Sequence, residues 1–360
     1  MAHIEVKIKG LRIAVILLLL SLVLVFYNTV RFKKEEIREK LLVSVYDKNG
    51  KTHMWEVIPK SNRENLILTN REVMIFGDIS NDGKWLAYDD AIGNSPWELF
   101  LKNLKNQKVF QLTNDREGEI DIKFLSSNPL KICVSRAGLN SPIPRLWIID
   151  VDKKKAQMIN PLNSDMAFEH FAVIDDNHIV AVSYSNKADE ERMQKANSSL
   201  GVIKYSFYVI DLKRQSYKKV VEVEAGDVES LALVPGSDIV TFGASDICLG
   251  SNNEKRDTGI YKLNIKTRKI TPILTENILK KLNYTPVRWF AYPVSGYLSY
   301  DGKKLWFGGI SKEARKMMFG EGIEAYPSAV FEYDLKEKKI RKIFEKKDTF
   351  ITNINVSYGK

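Results

Sequence analysis

From residue 41 to the C-terminus, apolar and polar positions alternate in short runs separated by turn residues, the period of half-buried strands. The clearest group begins at Val73. VMIFGDIS (73–80) is followed by Asn81-Asp82-Gly83-Lys84, then by WLAYDDA (85–91), ELFLKNL (98–104) and KVFQLTN (108–114). Asp82-Gly83 supplies the positive φ that closes a tight hairpin. The group predicts a four-strand meander. The same order returns as IDIKFLS, KICVSRA, RLWIIDV and KAQMIN up to residue 160, and three more times downstream. Helical periodicity is confined mainly to 187–196 (KADEERMQKA).

One segment recurs in six copies: Met54–Lys60, Leu99–Lys105, Leu146–Asp152, Phe207–Lys213, Ile260–Lys266 and Val330–Lys336. Its second position is always aromatic: Trp55, Phe100, Trp147, Tyr208, Tyr261 and Phe331. Its fifth is Asp or Asn in five copies. Four-stranded units at this spacing predict an all-β, six-bladed β-propeller, in which each blade covers the faces of its neighbours. Residues 41–70 provide three strands, and FITNINVS (350–357) provides one. These make a blade closed by both chain ends, which removes the open sheet edges that template aggregation.

The turn motif carries a resemblance. Ser80-Asn81-Asp82-Gly83-Lys84-Trp85-Leu86-Ala87-Tyr88 resembles the S-P-D-G-K-x-[IL]-[AV]-[FY] repeat of TolB-like (WD-repeat-like) propellers, and Ser299–Phe307 is similar. The L-[FY]-x-x-[DN]-L segments and Gln111-Leu112-Thr113 also fit, whereas Asp175-Asp176-Asn177 and Pro235-Gly236-Ser237 depart from the motif. The resemblance spans about residues 41–357. It implies an extracytoplasmic six-bladed propeller used for binding, and it implies no catalytic residues.

The first 40 residues follow another pattern. Ile13–Tyr27 reads IAVILLLLSLVLVFY, and the stretch 13–30 makes about 27 Å of helix, near the hydrocarbon thickness of a bilayer. No A-x-A site follows it and no cysteine precedes Cys133, which argues against a cleaved signal peptide and a lipoprotein. The expected organisation is a short cytoplasmic segment (1–12), a transmembrane signal anchor (13–30), a charged linker (31–40) and the propeller (41–360). This single-pass arrangement places the propeller on the extracytoplasmic side.

Composition narrows the chemistry. The 360 residues hold 55 Lys+Arg against 45 Asp+Glu, a net charge of +10, and a hydrophobic share of 44% excludes a disordered chain. Two cysteines exclude a disulfide scaffold and a four-cysteine zinc site. Neither a nucleophile elbow, a phosphate loop nor a zinc-protease motif occurs, so no catalytic residue, cofactor or metal is expected. His170, in a first strand, is expected to pack or hydrogen-bond beside the channel, and Cys133 to lie in the core.

In a meander of strands a to d, the a–b and c–d turns share one rim, and the b–c loops and d–a crossovers share the other. The c–d turns are basic, with Lys105, Lys108, Lys153, Lys154, Lys155, Lys213, Arg214, Lys266, Arg268, Lys338 and Lys339 among their residues. The chain enters the first blade on that rim, so the basic turns are expected to face anionic headgroups. A nucleic-acid partner is not expected, because these turns are dispersed round a ring with few interleaved aromatics. The opposite rim carries the long b–c loops 186–205, 246–258 and 311–328 and the crossover 276–291. Arg288, Trp289, Phe290, Met317, Met318, Phe319 and Tyr326 are its candidate partner-binding residues. The reading is an anchored propeller that binds a protein, peptide or envelope glycan. The alternative is a carbohydrate-active hydrolase or lyase with carboxylates at the channel mouth.

Overall fold

The computed structural model describes residues 38–359, apart from 93–94, 116, 139–141, 196–200, 250–255, 283–284 and 321. Among the described residues strands dominate and group into six sheets arranged as blades, with one further two-stranded sheet outside them. Blade 1 joins β27 (Thr349–Gly359) to β1 (Arg38–Asp47), β2 (Thr52–Ile58) and β3 (Arg63–Arg71), in that order. The last strand of the chain therefore lies beside the first described one, as the sequence predicts.

Blade 2 is β4 (Gly77–Ile79), β5 (Trp85–Ile92), β6 (Ser95–Asn103) and β7 (Val109–Gln111). Blade 3 is β8 (Glu117–Ser127), β9 (Leu130–Gly138), β10 (Arg145–Asp150) and β11 (Lys155–Met158). Blade 4 is β12 (Met166–Asp175), β13 (His178–Ser185), β14 (Ile203–Asp211) and β15 (Ser216–Ala225). Blade 5 is β16 (Asp227–Leu233), β17 (Ile239–Ile247), β18 (Asp257–Asn264) and β19 (Lys269–Thr275). In blade 6 the inner strand is broken into β20 (Val287–Phe290) and β21 (Gly296–Leu298), both paired with β22 (Lys304–Ser311). The sheet continues through β25 (Ala329–Asp334) and β26 (Lys339–Phe344).

Each blade buries both faces against its neighbours, and six hydrophobic clusters fill the six interfaces. The repeated aromatic explains itself here. In every blade it sits on the third strand, opposite Val43, Tyr88, Val134, Ala181, Phe242 or Phe307 of the second. All six side chains face the preceding blade, joining the cluster between blades 6 and 1 (Trp55), 1 and 2 (Phe100), 2 and 3 (Trp147), 3 and 4 (Tyr208), 4 and 5 (Tyr261) or 5 and 6 (Phe331). Blades diverge away from the axis, so the third strand needs a large apolar side chain to close the widening gap.

The fifth repeat position has a local cause. The Oδ1 atoms of Asn103, Asp150, Asp211, Asn264 and Asp334 accept backbone N–H groups of the following c–d turn at 2.8–3.0 Å or 3.1 Å. The last residue of each turn, from Asn62 to Lys338, lies in the left-handed region. The Ser-x-Asp-Gly motif is a hairpin device. Ser80 Oγ donates to Asp82 (2.7 Å) and accepts from Trp85 N (3.0 Å), while Gly83 takes φ 69°. Ser299, Asp301 and Gly302 repeat that geometry.

The inner strands are stitched round the axis. Phe124 N donates to Asp78 (2.9 Å) from blade 3 to blade 2, and Phe171 N to Asp121 (3.3 Å) from blade 4 to blade 3. Ser230 Oγ donates to Val294 O (3.1 Å) and Tyr297 OH to Ile354 O, linking blades 5, 6 and 1. Asn355 closes the ring by donating to Gly77 O at 3.0 Å. Blades 5 and 6 approach so closely at Gly243 that a Cβ there would sit 1.7 Å from Val294 O.

Candidate functional site: two rims and a channel mouth

The c–d turns are tied to the a–b turns. Leu104 N, Val151 N, Leu212 N, Ile265 N and Leu335 N donate to the carbonyls of Lys84, Leu130, Asn177, Asp238 and Lys303. All of these turns therefore share one rim, where β1 begins and β27 ends. Glu39 accepts from Tyr300 N in the a–b turn of blade 6, fixing the start of the propeller there. Lys105, Lys108, Lys154, Lys155, Lys213, Arg268 and Lys338 are exposed on this rim. Lys153, Arg214, Lys266 and Lys339 pair locally with Asp150, Asp211, Asp238 and Glu337. A groove of about 570 Å³ between blades 3 and 4 gathers Lys131, Lys153, Lys155 and Lys213 over Leu125, Ile148 and Leu212.

The other rim carries the insertions. The 186–205 segment contains α1 (Asn186–Lys195), one residue ahead of the expected helix, and the crossover contains α2 (Glu276–Lys281). The 311–328 segment forms a hairpin of β23 (Met317–Phe319) and β24 (Ile323–Ala325). The Arg288 guanidinium lies 4.0 Å from the centroid of Trp289, and Trp289 meets Tyr326 edge-on at 5.6 Å. Lys316 flanks Tyr326 at 5.8 Å. Trp289 and Met318 are 37% and 55% exposed, so this cationic-aromatic ridge is open to a partner.

Two of the expected anchors are not available. Phe290 packs edge-on against Phe307, and Phe319, fully buried, packs against Phe350. Phe290 belongs to the core because it ends β20 on the inner edge of blade 6, and Phe319 because its hairpin folds back over blade 1. Met317 is half-buried in its hairpin. Among the described residues no helix is long and apolar enough to cross a membrane, and the stretch 13–30 lies outside them.

The channel is polar. Lys123 donates to Asn355 (2.6 Å) and lies 3.4 Å from Asp121, while His170 Nδ1 lies 3.6 Å from Asp121. Burial alone lowers the imidazole's proton affinity. The hydrogen bond and charge of Asp121, with Glu169 and Glu229, outweigh it and raise the His170 pKa to about 9. His170 thus stays cationic at neutral pH. Burial also pushes Asp78 up to about 6, against the pull of Lys123.

Towards the insertion-bearing rim the inner strands of blades 3, 4 and 5 are each bulged, at Glu119/Asp121, Phe168/Phe171 and Glu229/Ala232. A bulge re-aims the side chains beside it. Glu169, Asp227 and Glu229 converge there with Tyr184, Tyr205 and Tyr292. Tyr184 donates to Glu169, and Tyr205 and Tyr292 each donate to Asp227 at 3.3 Å. Burial, reinforced by Asp227, pushes Glu229 up to about 8, and burial raises Glu169 despite His170. A second acidic group lies between blades 2 and 3. Burial pushes Glu119 up to about 8 even with Arg136 3.2 Å away, and burial raises Asp89 well above the ordinary carboxylate range.

Sequence reasoning reached His170 but missed these carboxylates and tyrosines. Acids inside otherwise apolar first strands, as in Met166-Ala167-Phe168-Glu169-His170-Phe171, were the available signal.

The fold is matched by solved structures of low sequence identity. TolB from Acinetobacter baumannii superposes with a TM-score of 0.61 at 9% identity over 88% of this chain, which spans 66% of that protein's length. A putative TolB from Agrobacterium tumefaciens gives a TM-score of 0.50 at 9% identity, covering 90% of this chain and 99% of that one. A chain of the nidogen–laminin complex gives 0.55 at 11% identity, covering 89% and 99%. The fold is therefore a TolB-like six-bladed propeller. No protein-family profile and no curated protein sequence matches the chain.

Proposed function

We propose that the chain is a membrane-anchored, extracytoplasmic binding propeller. Its basic rim faces the bilayer, and its insertion-bearing rim receives a protein, peptide or glycan. One observation carries the reading: the two rims differ in kind. The rim where the propeller begins and ends presents lysines from turn after turn, whereas the other sets its own exposed cations, Arg288 and Lys316 among them, against an aromatic ridge and a mouth lined by buried acids. A positive face on the rim where β1 begins suits an anionic surface, with each nearby lysine contributing on the order of 1 kcal/mol.

The unit Glu39–Gly359 is compact in itself and serves as the test object. Replacing Lys153, Lys154, Lys155, Lys338 and Lys339 by Gln should weaken its binding to phosphatidylserine vesicles at low salt by at least about tenfold. Unchanged binding would remove the membrane-facing rim from the account.

A second reading, a carbohydrate-active hydrolase or lyase, draws on the convergence of Glu169, Asp227 and Glu229. Cleavage of an envelope-glycan oligosaccharide that disappears in Glu229→Gln would favour it.

A further inference from the structure

The acidic mouth between blades 4, 5 and 6 is short of positive charge. Among the described residues the cations beside it make their ion pairs with other acids, His170 with Asp121 and Arg192 of α1 with Asp189 and the carbonyl of Gly226, and the His170 charge acts on Glu169 and Glu229 without an ion-pair contact. Among the described residues none of Glu169, Asp227 and Glu229 has an ion-pair partner within 4.0 Å. Glu229 is 5% exposed, and its Oε2 has no hydrogen-bond partner. A buried carboxyl oxygen left without a partner costs free energy unless something fills the position, and a cation seated there would favour the ionised form of Glu229 over the protonated form that burial favours.

The surroundings narrow what that something is. Among the described residues no three His, Cys, Asp or Glu side chains stand close enough to hold a metal ion together. Tyrosines line the site instead: Tyr184 and Tyr205 sit with ring centroids 5.6 Å apart, and Tyr292 is 70% exposed at the lip. Carboxylates interleaved with aromatic faces suit an organic cation, which needs neither short ligand distances nor fixed coordination. Tyr292 also follows Trp289 by three positions, so the mouth continues into the ridge of Arg288, Trp289 and Tyr326.

We propose that this mouth binds the cationic side chain of a lysine or arginine in a peptide segment, its head seated against Glu229, Glu169 and Asp227 while flanking residues lie on the ridge. The proposal rests on the reading of this rim as the binding face, and it adds the chemistry of the ligand.

The test uses the full chain in detergent and three capped pentapeptides: Ac-Ala-Ala-Lys-Ala-Ala-NH2, its arginine analogue and its acetyl-lysine analogue. Titration calorimetry should show the two cationic peptides binding at least about tenfold tighter than the neutral one. Glu229→Gln should remove that preference, and Asp227→Asn should reduce it. Lys155→Gln, on the opposite rim, should leave it intact. Trp289→Ala should weaken all three peptides alike. Peptides that bind equally whatever their charge, but are lost in Trp289→Ala, would overturn the cation site and leave the binding rim standing. No binding up to millimolar peptide, or displacement of the cationic peptides by micromolar Ca2+ or Mn2+, would overturn the proposal.

Discussion

Removing residues 349–360 is expected to abolish the folded monomer. The strand β27 is a small part of the chain, yet it supplies the inner edge of blade 1 and a wall of the channel. Ile351, Ile354 and Val356 are buried in the cluster that joins blades 6 and 1. At about 1.5–3 kcal/mol for each fully buried side chain, their loss alone is comparable to the whole stability of an ordinary domain, about 5–15 kcal/mol. The polar losses add to this. Asn355 bonds Gly77 O and accepts from Lys123, Tyr297 donates to Ile354 O, and Tyr358 donates to Leu298 O at 2.7 Å. Truncation would leave those buried groups unpaired and expose β1 as an open edge. The truncated protein should sediment as aggregates and show no cooperative thermal transition. A monomer melting within a few degrees of the full chain would show that the ring does not depend on its closing strand.

Stability should fall as the pH is raised from 6 to 9. Glu119 and Glu229 have folded pKa values near 8 because burial penalises their charged forms, against an ordinary value of 4.5. Between those limits the folded state holds more protons than the unfolded chain, so raising the pH favours unfolding. His170 acts in the same direction. Its folded pKa near 9 lies above the ordinary 6.5, so its stabilisation is complete below 6.5 and is lost as the pH rises through about 9. Opposing groups such as Asp121 and Glu332 are held below their ordinary values, and their stabilisation is lost only as the pH falls into the acid range.

The two raised glutamates contribute on the order of a few kcal/mol at most, which corresponds to a midpoint lower by about 5 °C at pH 9 than at pH 6. Glu119→Gln and Glu229→Gln should each flatten that decline, because an amide has no proton to lose. Calorimetric melts across the range give the answer. A midpoint that climbs between pH 6 and 9 would mean that the acids are already ionised in the folded state at pH 6.

The architecture was legible because its determinants are local and repeated. Asp82-Gly83 and the turn-capping Asn103, Asp150, Asp211, Asn264 and Asp334 each do one job within a few residues of their own position, and the third-strand aromatics recur once in every blade. Even the long-range closure could be read, since three strands at one end and one at the other make a complete blade. The channel mouth was not legible. Glu169, Asp227 and Tyr292 are far apart along the chain, with no fixed spacing, and meet only because inner strands from three blades converge on the axis. Bulges decide how the acids point, and nothing in the residues around Glu169 or Glu229 announces a bulge. The ridge was half legible. Trp289, Arg288, Met318 and Tyr326 lie at the surface, but Phe290, at the end of strand β20, and Phe319, in the inserted hairpin, were claimed by the core, because an aromatic packs wherever apolar surface lies within reach.

The functional account stands on the opposed roles of the two rims, and a labelling comparison tests it most directly. Single cysteines at Lys155 and Met318 (K155C and M318C), in a Cys248→Ser background, would be reacted with a membrane-impermeant maleimide in native membranes and in the isolated propeller. The account predicts that the Lys155 position reacts at least about tenfold more slowly in membranes than in the isolated propeller, while the Met318 position changes little. Equal rates at both positions in both settings, or protection of the Met318 position alone, would contradict it.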